Sequence, residues 1–251
     1  MIALLYSNSA VAVMNKTLVF LFYSLISVPM VHANNLSDGW FIGVSGNSFN
    51  RDISIVDTES GKEMQDIHSG SMSEQLDSGT AFGVSIGKQL TGGFRLSISY
   101  ETNKESKYSY NLGPTGSGSL YSHLTYSIEQ QEFRLSGDYL LPIFDNPALK
   151  PYLGLHFGLS DINYSFEREY TLGWTNHYGA EGSNVSWLAG FQAGLEYYLT
   201  SKLSAGVGLR YSYYDHDLLT DSPTFITYFP EEHNLKIRSQ GSAFLELKYH
   251  F

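Results

Sequence analysis

The feature that most constrains this chain is a two-residue alternation of apolar and polar side chains that runs through most of its length. In LSAGVGLRYSYY (203–214), Leu203 and Leu209 share one parity, whereas Ser204 and Arg210 share the other. Side chains on a β-strand point alternately to opposite faces, so such a stretch predicts a strand with one apolar and one polar face. We count eight such runs, at 38–49, 79–90, 93–104, 121–142, 150–165, 184–199, 202–215 and 234–251.

The connections between these runs alternate in length. The short ones are 91–93, 142–150 and 200–202, and the long ones are 50–78, 105–120, 166–183 and 216–233. An even number of amphipathic strands, with short turns on one side and long loops on the other, is typical of a transmembrane β-barrel. The sequence therefore predicts an all-β fold, an eight-stranded antiparallel transmembrane up-and-down β-barrel.

A soluble eight-stranded cup of the lipocalin type is the alternative, and it would place the apolar face inside. Glycines on the non-apolar face favour the membrane barrel, because small residues suit the crowded interior of a narrow barrel: Gly43, Gly83, Gly87, Gly154, Gly158, Gly190, Gly194, Gly206 and Gly208. Aromatic residues near strand ends are expected to form interfacial belts: Trp40, Tyr100, Tyr139, Tyr152, Trp187, Tyr197, Tyr213 and Tyr249.

The N-terminal region resembles a secretion signal. MNKTLVFLFYSLISVPMVHA combines a basic residue, Lys16, with a short apolar core and a small residue, Ala33, before the expected cut. We interpret 1–33 as a signal peptide, with 1–13 as a start-site artefact, and 34–251 as the barrel domain. An N-terminal anchor helix is the alternative, although the apolar core is short of the roughly 20 residues that a spanning helix needs.

The end of the chain, FLELKYHF, continues the alternation to the last residue. Ala243, Leu245, Leu247, Tyr249 and Phe251 share one parity. In this the chain resembles bacterial outer-membrane barrels of the OmpA-like, OmpX-like and opacity-type porin families, over 34–251. The resemblance implies the outer membrane of a Gram-negative bacterium, surroundings of membrane lipid and lipopolysaccharide, and a C-terminal signal read by the barrel-assembly machinery.

Charged residues fall on the face assigned to the lumen. They are Arg95, Glu101, Glu132, Arg134, Asp138, Glu196, Arg210, Arg238, Glu246 and Lys248. Charges inside a narrow barrel must be paired or solvated, so we predict a lumen charge network that fills the barrel. The functional alternative is a narrow porin-like path for ions or small solutes, gated by such pairs.

Catalytic and metal sites have little support. The chain has no cysteine, which excludes thiolate metal sites and cysteine nucleophiles. Asp215-His216-Asp217 is interpreted as the start of a solvated loop, and His156 is assigned to the lumen with Ser160. We predict a non-enzymatic barrel without metal or cofactor; a lipid A-modifying barrel enzyme remains the alternative, although no His-x-Ser arrangement occurs.

The long loops hold most of the negative charge. The chain has a formal net charge of −10, and the stretches 51–78 and 215–232 each carry −5. An acidic exported chain is a poor candidate for nucleic acid. We predict that the loops serve surface interaction, adhesion or envelope integrity, with a host or surface ligand as partner.

One run departs from simple alternation. In 121–142, Tyr126 and Ile128 lie on one parity, whereas Phe133 and Leu135 lie on the other. A shift by one residue moves every side chain to the opposite face. Either a β-bulge lies near 129–132, or the upper half of this strand stands above the membrane, and we favour the second interpretation.

Overall fold

The computed structural model describes residues 39–57, 76–103, 105–112, 121–144, 146–171, 175–215, 217–219 and 233–251. The predicted signal peptide, 1–33, lies outside these residues. Within the described ranges, no helix has the length and apolar character needed to cross a membrane.

Almost all described residues belong to antiparallel strands. The strands are β1 (Gly39–Asp57), β2 (Ser78–Gln89), β3 (Phe94–Asn103), β4 (Ser106–Leu112), β5 (Tyr121–Leu140), β6 (Leu149–Thr171), β7 (Thr175–Tyr198), β8 (Leu203–Tyr214), β9 (Asp217–Leu219) and β10 (His233–His250). Eight of them follow one another as β1-β2-β3-β5-β6-β7-β8-β10, and β1 pairs with β10. The sheet is therefore a closed eight-stranded antiparallel barrel, as predicted. The short strands β4 and β9 pair with β5 and β10 at one end only.

That end, where the long loops begin, is called the loop end, and the opposite end is called the turn end. At the turn end, Thr91–Gly93 joins β2 to β3, and Gly92 and Gly93 have φ angles of 79° and 85°. Residues with a side chain rarely adopt such angles, so glycine is what allows this turn to be so short.

The outer face of the barrel is apolar. Large side chains such as Val84 (56% exposed), Phe133 (49%) and Leu209 (67%) point outwards. Exposed hydrophobic residues in a continuous belt are what lipid requires, so the soluble cup with an apolar interior is wrong. Tyr152 is a correction to the expected belts, because it faces the lumen and is only 2% exposed.

The last strand has the predicted orientation. Ala243, Leu245, Leu247, Tyr249 and Phe251 are all exposed on the outer face, whereas Lys248 is buried in the lumen. The backbone N–H of Phe251 donates to the carbonyl oxygen of Trp40 at 2.9 Å, so the chain terminus continues the pairing of β10 with β1.

Several strands are longer than predicted at the loop end. β1 continues to Asp57, and the predicted loop 166–183 is largely a hairpin in which β6 runs to Thr171 and β7 begins at Thr175. The predicted loop was wrong there because a polar composition does not distinguish a loop from a strand that lies beyond the lipid.

Strand β5 shows how the polarity changes. Its pairing with β6 runs without a register shift from Tyr121 to Leu140, which excludes the bulge. Tyr126 and Ile128 point inwards and are 7% and 0% exposed, while Phe133 and Leu135 point outwards. The strand keeps one orientation throughout, and only the polarity of its two faces reverses. This reversal is expected where a barrel passes from lipid into water.

Candidate functional site

The lumen near the turn end contains an ionic cluster, called here the turn-side network: Arg95, Asp138, Glu196, Glu246 and Lys248. Arg95 Nη2 lies 2.8 Å from Asp138 Oδ2, and another nitrogen of the same guanidinium contacts Glu196. Lys248 Nζ lies 3.0 Å from Glu196 and 2.8 Å from Glu246. Each of the two cations therefore contacts two carboxylates.

A second cluster, the loop-side network, lies above it and consists of Glu101, Glu132, Arg134 and Arg210. The carboxylate of Glu101 forms ion pairs with both arginines, with Arg134 Nη1 at 2.6 Å and Arg210 Nη1 at 2.5 Å. Arg134 also contacts Glu132. The side chains of this network are at most 9% exposed, so these charges are compensated by one another and not by bulk water.

Gln192 joins the two networks. Its Nε2 donates to Asp138 Oδ1 at 2.7 Å, and its Oε1 accepts from Arg210 Nε at 3.1 Å. A neutral amide can serve both because it is at once a donor and an acceptor. Polar contacts therefore continue from the turn end to the loop-side network.

The space left between these side chains is small. One cavity beside Arg95, Asp138 and Arg210 has a volume of about 20 Å³, and another beside Arg51 and Glu132 has about 10 Å³. A single water needs roughly 10–15 Å³. Each of these two cavities therefore has room for about one water, and side chains fill most of the space beside these charges.

Above the loop-side network the interior becomes apolar. Ten buried side chains, called the apolar plug, form one cluster across the barrel: Ile53, Leu76, Tyr108, Tyr126, Ile128, Ile162, Tyr164, Leu188, Tyr214 and Ile237. Leu76 comes from the connection before β2 and is 0% exposed. The hydroxyl of Tyr214 donates to Glu132 and so joins the plug to the loop-side network.

Arg238 is a correction to the predicted lumen network, since its side chain is exposed on the outer face. In the pairing of β1 with β10, Asp52 lies opposite Ser239 and Ile53 lies opposite Ile237, so Arg238 is the extra residue of a β-bulge. Such a bulge exchanges the two faces beyond it, which places Ile237 in the plug. The alternation alone did not reveal the bulge.

Arg51 is a buried charge that the sequence analysis missed. It is 2% exposed, its Nε donates to Gln240 Oε1 at 3.2 Å, and its guanidinium lies 4.2 Å from the ring centre of Phe49. The signal was present, because Arg51 has the same parity as Phe49, but ending the first run at residue 49 assigned Arg51 to a loop.

The histidine of the lumen does not form a catalytic group with Ser160. His156 Nε2 lies 2.9 Å from Ser212 Oγ, and Ser160 Oγ instead accepts from Gln130 Nε2 at 3.0 Å. Among the residues that the structure describes, the other ring nitrogen of His156 has no hydrogen-bond partner, so none of their carboxylates orients this ring as in a catalytic histidine. In the described part of the chain, no three acidic, histidine or cysteine side chains are grouped to hold a metal ion.

The outer surface of the loop end has an open groove of about 440 Å³, called the β5–β7 groove. Its floor includes Glu129, Asn163 and Ser183, which are paired neighbours on β5, β6 and β7. At its rim, Lys107 Nζ lies 2.8 Å from Glu105 Oε2, and this hydrogen bond lowers the pKa of Glu105. The groove therefore remains negatively charged and rich in acceptors near neutral pH.

Most of the acidic loop residues lie outside the described part of the chain. This applies to 58–75 and 220–232, including the stretch FITYF at 225–229, and to His216 of the Asp215-His216-Asp217 sequence. Their predicted role as a binding surface stays a prediction.

Comparison with solved structures places this geometry among known barrels. OprG of Pseudomonas aeruginosa is 15% identical and matches 85% of this chain and 96% of its own, with a TM-score of 0.52. Neisserial surface protein A is 16% identical and matches 85% of this chain and 97% of its own, with a TM-score of 0.46. The outer membrane protease OmpT of Escherichia coli is 14% identical and matches 87% of this chain and 100% of its own, with a TM-score of 0.43. At these identities the likeness shows the fold alone.

No curated protein matches the chain significantly. The family model described as "Outer membrane protein beta-barrel domain" matches residues 18–238, most of the 251-residue sequence. The chain therefore belongs to the outer membrane protein beta-barrel domain family and is a transmembrane barrel of a Gram-negative outer membrane.

Proposed function

We propose that this protein is a closed, non-enzymatic barrel that holds acidic loops rigidly above the outer membrane for interaction with a surface partner. The observation that carries this proposal is the apolar plug, which lies inside the loop end directly above paired charges. A route for ions would have to cross two buried networks and then a layer of side chains such as Ile128 and Ile162, both 0% exposed.

The plug also supports the presenting role. It gives the part of the barrel beyond the lipid its own hydrophobic core, which favours a fixed framework instead of separate flexible loops. The stretches that connect the described strands at this end are acidic: 58–75 has four acidic residues and one lysine, and 220–232 has three acidic residues, so each has a net charge of −3. Charge of one sign, concentrated on one surface, attracts partners of the opposite sign and accelerates their association.

The test is binding of the barrel in nanodiscs to a sensor coated with a lysine-rich peptide. The variant converts Glu59, Glu63, Asp66 and Glu74 to their amides. The matched control is an acid-retaining variant in which Ser60, Ser69, Ser71 and Ser73 become alanine. We expect binding that weakens as salt rises, that falls at least tenfold in the amide variant, and that persists in the control. Equal binding by both variants would refute the role of the acidic loops.

A further inference from the structure

The apolar band that faces lipid is not equally tall on every strand of the barrel. On β7 it extends from Tyr197 to Trp187, and the exposed Val185 continues it. On β8 it extends from Leu203 to Tyr213. Ten residues rise about 33 Å along a strand, or about 25 Å along the axis of a barrel whose strands tilt by roughly 40°. The outer face of β7 and β8, called the tall wall, therefore has the usual height of an outer-membrane barrel.

The outer face of β1 and β2, called the short wall, has a much lower band. On β1 the apolar side chains extend from Trp40 (50% exposed) to Val44 (57% exposed), four residues apart. On β2 they extend from Ile86 to Phe82, again four residues, and the exposed Lys88 follows at the turn end. Four residues rise about 13 Å along a strand, or about 10 Å along the barrel axis at the same tilt. The short wall therefore lacks about 15 Å of the apolar height that the tall wall has.

The two walls begin at nearly the same level at the turn end. The backbone N–H of Phe251 donates to the carbonyl oxygen of Trp40, so the end of β10 lies beside the start of the short wall. Two residues earlier on β10, Tyr249 is paired with Leu203, where the tall wall starts. Lys88 Nζ lies 5.7 Å from the ring centre of Trp40, a cation beside an aromatic ring, as expected at a membrane boundary. The difference in apolar height therefore lies at the loop end.

Polar side chains occupy the height that the short wall lacks. Ser48 and Asn50 point outwards on β1, Thr80 is paired with Ser48 on β2, and all three are exposed. Ser48 is eight residues from Trp40, so it lies about 20 Å above the turn end. Ala189 lies at a similar height on the tall wall, where the band is still apolar. A membrane of uniform thickness would therefore bring hydrocarbon against the polar side chains of the short wall.

We propose that the short wall thins the membrane locally, so that the headgroups of the leaflet at the loop end descend to the level of Ser48. A bilayer responds to a short apolar stretch by becoming thinner around it. Tilting the barrel does not remove the mismatch, because a tilt moves both ends of a wall together and leaves the two walls unequal. The long loops of such barrels lie outside the cell, so the affected lipids are those of the outer leaflet.

The test measures the depth of a nitroxide label in vesicles of dimyristoylphosphatidylcholine. The chain has no cysteine, so Ser48→Cys and Ala189→Cys each carry a single label. The readout is the accessibility of the label to a water-soluble nickel complex divided by its accessibility to oxygen, which dissolves in hydrocarbon. We expect this ratio to be at least fivefold higher at position 48 than at position 189. Equal, low ratios at the two positions would overturn the proposal.

A second pair of variants, both made in Ser48→Cys, tests whether the polar side chains cause the thinning. Asn50→Leu with Thr80→Leu extends the short wall, whereas the control, Asn163→Leu with Thr125→Leu, adds the same side chains to β6 and β5 beyond their apolar rows. Heat-modifiable gel mobility establishes that each variant is folded. We expect the ratio at position 48 to fall at least threefold in the first variant and to stay high in the control.

An equal ratio in the two leucine variants would overturn the proposal. So would a label at position 48 that is shielded from both reagents and broadened by a second label nearby, because a second copy of the chain, and not a thinned bilayer, would then cover the short wall.

Discussion

Glu101 is the residue whose replacement most directly tests the packing of the lumen. Its carboxylate forms ion pairs with Arg134 at 2.6 Å and Arg210 at 2.5 Å, and it accepts a hydrogen bond from Asn47 Nδ2 at 2.8 Å. Glu101→Gln keeps the shape of the side chain but removes its charge. Arg134 retains Glu132, whereas the remaining contacts of Arg210 among the described residues are with uncharged groups, Gln192 and the ring of Phe244. The substitution therefore leaves one buried guanidinium without a carboxylate in direct contact, and Glu246 acts on it only from further away.

The expected loss can be worked out from that contact. Removing one partner of a buried ion pair costs about 3–5 kcal/mol, because the remaining charge is neither solvated nor paired. The control is Glu246→Gln, in which Lys248 keeps Glu196 at 3.0 Å and the altered side chain is 14% exposed. Its loss is expected to be below about 1.5 kcal/mol, near that of one polar contact.

The assay is reversible urea unfolding in micelles or lipid vesicles, followed by tryptophan fluorescence, with the free energy of unfolding extrapolated to water. Equal losses in Glu101→Gln and Glu246→Gln, or a loss below about 1 kcal/mol in Glu101→Gln, would refute the reasoning. Such a result would mean that water reaches Arg210 and that the loop-side network is not closed.

Three further changes test other parts of the account. Ile128→Ala in the apolar plug should lower the free energy of unfolding by about 2–5 kcal/mol, whereas Ser183→Ala on the outer surface should change it by less than about 0.5 kcal/mol; equal effects would contradict the plug. Gly190→Ala should destabilise the barrel in the same assay, since the new methyl group would overlap the carbonyl of Tyr211, while Gly46→Ala, with no atom within 4 Å, should be tolerated. Phe251→Ser should reduce the folded fraction in outer membranes several-fold. Refolding in detergent should be unchanged, because Phe251 is 65% exposed and packs little. An unaltered membrane fraction would show that the terminal residue is no assembly signal.

The alternation was enough to predict the barrel, because the lipid imposes one rule on every strand. Val84, Phe133 and Leu209 are all apolar because each faces lipid. The turn at Gly92 is short for a different, local reason, the positive φ angle that glycine allows. The orientation of Phe251 followed from the same parity. What the alternation fixes is the spanning part of the barrel.

The part beyond the lipid could not be predicted in the same way. There the outer face is polar and the inner face is apolar, so Ile128 and Ile162 resembled lipid-facing residues in sequence but lie inside. The β-bulge at Arg238 leaves no signal in the composition of the sequence. Arg51 was not recognised as a buried residue because the first predicted strand was ended at residue 49. The contacts within the lumen, such as Gln192 between two networks, depend on pairing between distant strands and so require the structure.

Electrical recording of the purified barrel in planar bilayers tests the central claim, a closed lumen, most directly. The account predicts that insertion, established by heat-modifiable mobility of the same preparation, produces no steady conductance above the bare bilayer. A reproducible stepwise conductance that changes in Arg210→Ala or Glu196→Ala would contradict it, and would make the narrow channel the better account of this protein.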